Sequence, residues 1–439
     1  MSKDVWGYHE HPKRREPDWE LNPQTAAVRE GLARSGFGET SEALYLNSGF
    51  TYTDAQEALD SFNDETDHFL YSRFHNPTVA MFEKRLAAIE GAEHCVATSS
   101  GMSAMFASLA CLVEAGDHVV ASAAMFSSCH VVITEILPKW GVTYELVKAN
   151  DKAAWQKALT KPTKAVFIET PSNPLLEIVD IQYVSDLAHQ VGATVIVDNV
   201  MASPVLQKPL ELGADVVMYS ATKHIDGQGR VLAGALLGSF SYIYENLIPF
   251  TRHTGPTLSA FNAWVLVKSL ETMEMRVTRM SENAQAVAEF LDSRKEIKSV
   301  RYPGLSSHPD YEVIKKQMKS GGTTIGIEFA GTQKDAFKFM DSLKVIDISN
   351  NLGDSKSLIT HPASTTHRRL TPEVQLEMGI TPSVLRLSVG LSTLMTCSKT
   401  FLRHLITERR LAAPKTDLNK LLTSEKFLKQ LYCNFLSSL

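Results

Sequence analysis

A single lysine stands at the end of one hydrophobic stretch of this chain. Four apolar residues, 216–219, are followed by Ser-Ala-Thr, then by Lys223, and then by a turn that contains Gly227 and Gly229. A buried lysine needs a partner, and loss of water lowers the pKa of its amine, so more of the amine is unprotonated near neutral pH and can act as a base or nucleophile. The position therefore indicates a chemical role for Lys223, with an ordinary surface charge as the alternative.

Polar residues also follow two other hydrophobic runs. Asp198 and Asn199 close the run that begins TVIV, and the segment ETPSNP, residues 169–174, follows AVFI. Taken alone, such an aspartate is commonly a helix cap or a turn residue. Ligands of open parallel sheets bind beyond the carboxyl ends of the strands, so the three strand ends together favour one binding site.

These residue types suit pyridoxal phosphate. That cofactor needs a lysine for a Schiff base, an acid against its pyridine nitrogen, a cradle for its phosphate and an aromatic ring over its face. Lys223 and Asp198 supply the first two. The segment TSSGMSA, residues 98–104, opens a buried helix, whose positive dipole end suits a phosphate. The other candidates are the hydroxyls of Ser220 and Thr222 for the phosphate and Phe126 for the ring.

Two arginines stand in positions that are unusual for a free charge. Tyr71 and Arg73 lie in the irregular segment LYSRFHNPT. Arg73 can contact the cofactor phosphate there; the alternative is that both residues are ordinary surface residues. Arg386 lies inside the strand-like SVLRLSVG, and a charge there needs an anionic partner. A guanidinium presents a rigid fork of donors that matches a carboxylate. We therefore predict that Arg386 binds a substrate carboxylate.

The elements that must position these residues alternate between strands and helices. Continuous Val/Ile runs separated by helical patterns predict an α/β fold with a mostly parallel sheet flanked by helices. Residues 259–297 read as one or two long helices that lead to a smaller C-terminal α+β domain. The predicted strands are DHVVAS, KAVFIET, TVIVDNV, DVVMYSA, GALLGS, IKSVRYP, GTTIGIEFA and VLRLSVG, and the predicted helices include PTVAMFEKRLAAIEG, GMSAMFASLACLVEAG and QYVSDLAHQVG.

At 439 residues the chain exceeds the usual size of one core, so we expect two domains. We predict an extended N-terminal arm at 1–75, a large cofactor-binding α/β domain at 76–270, a C-terminal α+β domain at 271–391 and an aberrant tail at 392–439.

Composition narrows the function classes. A net charge of −5 gives no basic field for nucleic acid and no polybasic patch for a membrane. The five cysteines are scattered without a C-x-x-C pair, which predicts neither a metal site nor a disulfide framework and suits a cytoplasmic location. The N-terminus has no signal-peptide pattern, and no run of 18 apolar residues exists. A nucleotide-binding domain would need a G-x-G-x-x-G or P-loop motif, and neither is present.

Seven segments, taken in order over roughly residues 23–391, resemble the Cys/Met-metabolism family of pyridoxal-phosphate enzymes of fold type I. Within that family, DGQGR after the lysine is similar to the sulfhydrylases that act on O-succinylhomoserine, whereas γ-synthases and γ-lyases tend to carry NGHSD. The segments are YSRFHNPT, ATSSGMSA, ETPSNPLLEIVDI, VIVDN, LGADVVMYSATKHIDGQGR, GPTLSAFNAWVLVKSLET and NLGDSKSLITHPASTTH.

The resemblance implies roles for individual residues. Lys223 would form the Schiff base and Asp198 would face the pyridine nitrogen, while Arg386 and Ser357 would bind the substrate α-carboxylate and Asn173 would lie near the phenolic oxygen of the cofactor. Phe126 stands where many relatives have a tyrosine, so proton transfer would fall to Lys223 or Tyr71. The phosphate would be held by Gly101, Met102, Ser220 and Thr222, with Tyr71 and Arg73 from a neighbouring subunit. That last contact implies a homo-oligomer, usually a tetramer built as a dimer of dimers.

The implied reaction is γ-replacement on O-succinylhomoserine, or O-acetylhomoserine, with sulfide, giving homocysteine for methionine biosynthesis. Two alternatives lie in the same family: a cystathionine γ-synthase that uses cysteine, and a γ-lyase. A third, from a different class, is a non-catalytic remnant that only binds the cofactor.

The tail departs from the family after Leu391. The family continues with E-x-x-D-D-L, whereas this chain reads STLMTCSKTF. Codons can be chosen for those ten residues so that, when a G precedes them and the reading frame starts at that G, the same DNA encodes EHLDDLLKDF. We hypothesise a single-base deletion or a sequencing error near Leu391, against the alternative of a divergent tail. DNA sequencing across codons 388–400 distinguishes the two, because an intact frame would contradict the hypothesis.

Overall fold

The computed structural model describes residues 19, 21–35 and 38–393 of the chain. Two sheets organise this part of the protein, a seven-stranded sheet and a five-stranded sheet. Residues 394–439 of the tail predicted at 392–439, and residues 1–18, 20 and 36–37 of the predicted arm, lie outside the described residues, and the domain boundaries given above stay predictions.

The larger sheet carries the predicted strand ends. In chain order its strands are β1 His94–Thr98, β2 His118–Ser122, β3 Thr143–Val147, β4 Ala165–Glu169, β5 Thr194–Asp198, β6 Val216–Tyr219 and β7 Gly234–Gly238. Their spatial order is β1-β7-β6-β5-β4-β2-β3. β7 runs antiparallel to both of its neighbours, and the other pairs are parallel. β4, β6 and β7 are buried along their whole length, because helices cover both faces of the sheet.

Helix starts and ends follow local sequence signals. The third helix begins after Asn76, whose side chain accepts the backbone N–H of Thr78 at 2.9 Å, and ends at Gly91, whose φ of 84° is a left-handed value that favours glycine. The helices are α1 Pro23–Arg29, α2 Ala55–Phe62, α3 Pro77–Glu90, α4 Gly101–Ala110, α5 Ser127–Val131, α6 Lys152–Ala158, α7 Ile181–Gln190, α8 Ser203–Leu206, α9 Ile248–Thr254, α10 Ala260–Leu270, α11 Met273–Asp292, α12 Tyr311–Gln317, α13 Gln333–Ser342 and α14 Pro372–Glu377. No helix of the described part is long and apolar enough to cross a bilayer.

The smaller sheet lies in the C-terminal part of the described chain. Its strands are β8 Ile297–Arg301, β9 Thr324–Phe329, β10 Asp347–Ile348, β11 Leu358–Thr360 and β12 Val384–Ser388. The sheet has the order β10-β11-β12-β9-β8 and is antiparallel except between β10 and β11. α11 and α13 contribute to its hydrophobic core.

The N-terminal region contains two helices that the sequence did not indicate, α1 and α2. α1 packs on α3 through the buried Ala26 and Ala27. A buried ion pair stabilises the same region, since Arg85 Nη2 donates to Glu42 Oε1 at 2.6 Å and both side chains are almost fully buried.

Candidate active site

The carboxyl ends of three neighbouring strands form one edge of the larger sheet. Glu169 at the end of β4 is paired in register with Asp198 at the end of β5, and Asp198 is paired with Met218 in β6. After β6 the chain turns, with Lys223 N–H donating to the carbonyl of Ser220 at 3.1 Å. Lys223 therefore follows the strand that lies beside the Asp198 strand.

An arginine from α11 holds the turn that contains Lys223. The guanidinium of Arg276 donates to the carbonyls of His224 at 3.0 Å, Ile225 at 3.2 Å and Ser269 at 3.0 Å. Asp226, at the start of DGQGR, accepts the N–H and Nε–H of Arg230 at 2.7 Å and 2.9 Å. The backbone that directly follows Lys223 is thus held by contacts with α11 and within DGQGR.

The amine of Lys223 has a neutral hydrogen-bond partner. Its Nζ donates to Asn351 Oδ1 at 2.6 Å. Burial, with the positive charge of Arg386 as a second cause, lowers the pKa of Lys223 to about 8. The amide acceptor orients the amine without placing a negative charge beside it.

Arg386 is buried at the centre of β12 and binds uncharged oxygens. Its Nη1 donates to Asn173 Oδ1 at 2.9 Å, and its Nη2 donates to the carbonyls of Asn350 at 2.9 Å and Asn351 at 3.1 Å. Desolvation lowers its pKa to about 10, against the opposing charge of Glu169. Its Nε finds no hydrogen-bond partner among the described residues. A buried guanidinium held in this way can receive an anionic ligand.

Asp198 is a buried carboxyl at the end of β5. It is 4% exposed, and one of its oxygens accepts the backbone N–H of Val200 at 3.0 Å. Burial raises the pKa of Asp198 to about 7. A cationic group beside this carboxyl would stabilise the ionised form.

The start of α4 forms a tight cradle. Ser100 caps the helix by accepting the N–H of Ser103 at 3.1 Å, which leaves the first N–H groups, those of Gly101 and Met102, without a partner within the helix. A side chain at Gly101 would put its Cβ 2.5 Å from Ser220 Cβ, so only glycine permits this approach. The hydroxyl of Thr222 is instead bonded to the backbone of Ala233, by donating to its carbonyl and accepting its N–H.

The remaining candidates lie in three places. Phe126 is half-buried at the start of α5. Ser357 is buried, and its hydroxyl accepts the N–H of Gly390 at 3.0 Å, so its role towards a substrate stays a prediction. Tyr71 is 43% exposed, and the guanidinium of Arg73 lies over the ring of Phe74 at 4.6 Å. Arg73 Nη1 also donates to the carbonyl of Arg252, and the role of Tyr71 and Arg73 in the phosphate site of a neighbouring subunit stays a prediction.

Sequence reasoning missed two residues of the site. Asn351 is the first residue of the family motif NLGDSKSLITHPASTTH, and its side chain accepts the hydrogen bond of the Lys223 amine. Glu169 is the first residue of ETPSNP, and the sequence predicted no function for it. Its carboxyl accepts the N–H of Phe126 at 2.6 Å and of Asn173 at 2.7 Å. The Asn351–Lys223 and Glu169–Phe126 contacts join residues that are far apart in the chain, which a local pattern does not reveal.

These residues fit pyridoxal phosphate. The buried amine of Lys223, the buried carboxyl of Asp198 with a single backbone donor and the glycine-walled start of α4 correspond to the aldehyde, pyridine nitrogen and phosphate of the cofactor. The large mostly parallel sheet, the smaller C-terminal sheet and this site define a pyridoxal-phosphate enzyme of fold type I.

Comparison with known proteins places the chain more narrowly. Residues 24–397 match the family described as Cys/Met metabolism PLP-dependent enzyme. The chain belongs to that family.

Individual relatives agree with this placement. An O-succinylhomoserine sulfhydrylase of Mycobacterium tuberculosis is 53% identical over 376 residues, 84% of this chain and 92% of the relative. One from Pseudomonas aeruginosa is 43% identical over 370 residues, with the same coverage of 84% and 92%. The crystal structure of a cystathionine gamma synthase from Xanthomonas oryzae pv. oryzae, in complex with aminoacrylate and cysteine, superposes with a TM-score of 0.84 at 32% identity, covering 89% of this chain and 99% of that one.

Proposed function

We propose that this protein catalyses γ-replacement on O-succinylhomoserine with sulfide, giving homocysteine and succinate. The observation that carries the proposal is the 53% identity to a sulfhydrylase of that name over most of both chains. The site supports it, because a buried amine and a buried guanidinium lie on either side of Asn351, as an α-amino acid substrate requires.

Each residue of the site then has a distinct task. Pyridoxal phosphate, when bound, withdraws electrons from the substrate carbon that carries the amino group. Arg386 binds the substrate α-carboxylate and fixes that carbon near Lys223. Lys223 Nζ takes the proton from the α-carbon and later returns it, which its lowered pKa of about 8 favours near neutral pH. Phe126 has no proton to move, so it serves only to cover the cofactor face.

The overall reaction is a substitution at the γ-carbon. The bond from that carbon to the succinyl oxygen breaks, succinate leaves with the bonding electron pair, and a carbon–sulfur bond forms with hydrosulfide as the source of the electrons. Protons removed by Lys223 are returned to the product carbon chain, so the net change is exchange of succinate for sulfide.

We also propose that the active unit is a homo-oligomer in which Tyr71 and Arg73 complete the phosphate site of a neighbouring subunit. The exposure of Tyr71 and the placement of Arg73 over Phe74, outside the Lys223 turn, support this assignment. Analytical ultracentrifugation gives the assembly state. Mixing a Lys223→Ala protein with an Arg73→Ala protein then tests sharing, since hybrid dimers regain one intact site if the residues come from different subunits.

The second candidate is cystathionine γ-synthase activity, which the similarity to the Xanthomonas structure favours. One experiment separates the two: purified protein receives O-succinylhomoserine with equal sulfide and cysteine, and products are identified by mass spectrometry. Homocysteine as the main product supports the proposal, whereas cystathionine replaces it with the γ-synthase activity. 2-Oxobutyrate would indicate a γ-lyase, and no product from cofactor-loaded protein would indicate a non-catalytic remnant.

A further inference from the structure

Glu169 is a buried carboxyl that contacts two parts of the site at once. It ends β4, and its side chain reaches the backbone of the β2–α5 connection and of its own β4–α7 connection. Oε2 accepts Phe126 N–H at 2.6 Å, and Oε1 accepts Asn173 N–H at 2.7 Å. Each oxygen of this one carboxyl therefore accepts one backbone N–H group.

Each of the two amides belongs to a residue with a side chain in the site. Phe126 is the candidate for the ring over the cofactor. Asn173 Oδ1 accepts Arg386 Nη1 at 2.9 Å, so the position of Asn173 determines one of the bonds that orient the guanidinium. A single carboxylate thus sets the distance between the cofactor-facing end and the carboxylate-binding end of the site.

Glu169 also interacts electrostatically with two charged residues of the site, Asp198 and Arg386. Burial and the neighbouring Asp198 raise the pKa of Glu169 well above its usual range, while its backbone donors and Arg386 oppose that shift. Two carboxyls that are paired in register on adjacent buried strands compete for ionisation, so a proton on one favours charge on the other.

We propose that Glu169 is a positioning residue, whose two carboxylate oxygens hold Phe126 and Asn173 and thereby align the cofactor ring with the substrate-binding Arg386. This inference rests on the cofactor site and is independent of whether sulfide or cysteine is the acceptor. A purely structural role, in which Glu169 only stabilises two loops, is the competing explanation.

Replacement of Glu169 by glutamine separates these explanations. The Glu169→Gln side chain keeps the shape, but only its carbonyl accepts a hydrogen bond, so its NH2 faces one of the two backbone donors. We expect the dissociation constant of pyridoxal phosphate from the apoprotein to rise about tenfold or more, the equivalent of one lost hydrogen bond to a charged group. The circular dichroism of the bound cofactor should weaken, because its ring is no longer held at one angle.

Two further variants define what Glu169 contributes. Glu169→Asp keeps the charge but is one methylene shorter, so it cannot span both amides and should resemble Glu169→Gln in its dichroism. Glu177→Gln, further along the same connection, is the matched control and should leave cofactor affinity and dichroism at their wild-type values. In either Glu169 variant KM for the amino-acid substrate should rise by a larger factor than kcat falls, since Asn173 no longer orients Arg386.

The results that overturn the proposal are equally specific. Cofactor affinity and dichroism within twofold of wild type in Glu169→Gln, together with a lowered unfolding temperature, would establish the purely structural role. If neither Glu169 variant folds, hydrogen exchange in the unmutated apoprotein decides: protected amides at Phe126 and Asn173 are expected, and fast exchange at both would contradict the proposed contacts. If the wild-type protein binds the cofactor but has no sulfhydrylase activity, that result contradicts the proposed reaction and leaves this inference unaffected.

Discussion

Replacing Asn351 by aspartate should raise the pKa of Lys223 and move the pH dependence of cofactor capture. In the wild type, burial and Arg386 lower this pKa to about 8 from the ordinary value of 10.5, and the hydrogen-bond partner at 2.6 Å is neutral. The variant puts a carboxylate in the same place. Arg386, from β12, and His224, the next residue in the chain, are the other titratable groups beside the amine, and neither changes.

The size of the effect follows from the geometry. Two unit charges about 4 Å apart interact by about 4 kcal/mol at an effective dielectric constant of about 20. At about 1.4 kcal/mol per pKa unit this corresponds to about 3 units before desolvation is counted. The new carboxylate must itself lose water, which offsets part of the gain, so we expect a rise of about 1–2 units.

The assay follows the absorbance that appears when apoprotein captures pyridoxal phosphate, measured as a rate against pH. Only the unprotonated amine reacts, so the rate of the wild type should reach half its maximum near pH 8 and that of Asn351→Asp at a higher pH. Asn351→Ala is the control, because it removes the acceptor without adding charge. A midpoint in the aspartate variant equal to or below that of the wild type would refute the reasoning.

Four other predictions concern single positions. Lys223→Ala should fold but lose both turnover and the visible absorbance of the bound cofactor; full activity would remove this lysine from the mechanism. Arg386→Lys should raise KM for the amino-acid substrate about tenfold or more in steady-state assays, because one charged donor cannot replace the guanidinium fork. Glu42→Ala should lower the free energy of unfolding by about 3 kcal/mol in denaturant titrations, because it removes the close buried partner of Arg85 and leaves only the 3.8 Å contact with Glu271. Asp198 has a folded pKa of about 7, above its unfolded value of about 3.9, so the wild-type apoprotein should lose stability relative to Asp198→Asn as pH rises from about 4 to about 7; a constant difference would contradict this.

Much of the larger sheet could be predicted from the sequence, because buried parallel strands are continuous apolar runs. β2, β4, β5, β6 and β7 all lie within predicted strands, and the fold-type-I architecture is confirmed. β1 and β3 were missed: HCVAT and TYELV mix polar and apolar residues, and both are edge strands of the sheet. α4 ends at Ala110, earlier than its apolar sequence indicated.

Some residues of the candidate site could likewise be predicted from the sequence and others could not. Lys223 and Asp198 are visible in the sequence because each ends an apolar run, and Arg386 because it interrupts one. Asn351 meets Lys223 across a separation of 128 residues, and no periodicity in the sequence encodes such a contact. The N-terminal helices were missed for a related reason, since α1 is short and depends on its packing against α3 for stability.

The glycines of the site determine where this enzyme can change over evolution. At Gly101 a Cβ would meet Ser220, and at Gly234 it would come within 2.2 Å of the carbonyl of Ser100. These contacts are with backbone or with atoms fixed to it, so the wall at the start of α4, where we predict the cofactor phosphate, tolerates no larger residue. A change of substrate would therefore have to arise at other positions of the site, whose side chains can change in size without moving this backbone.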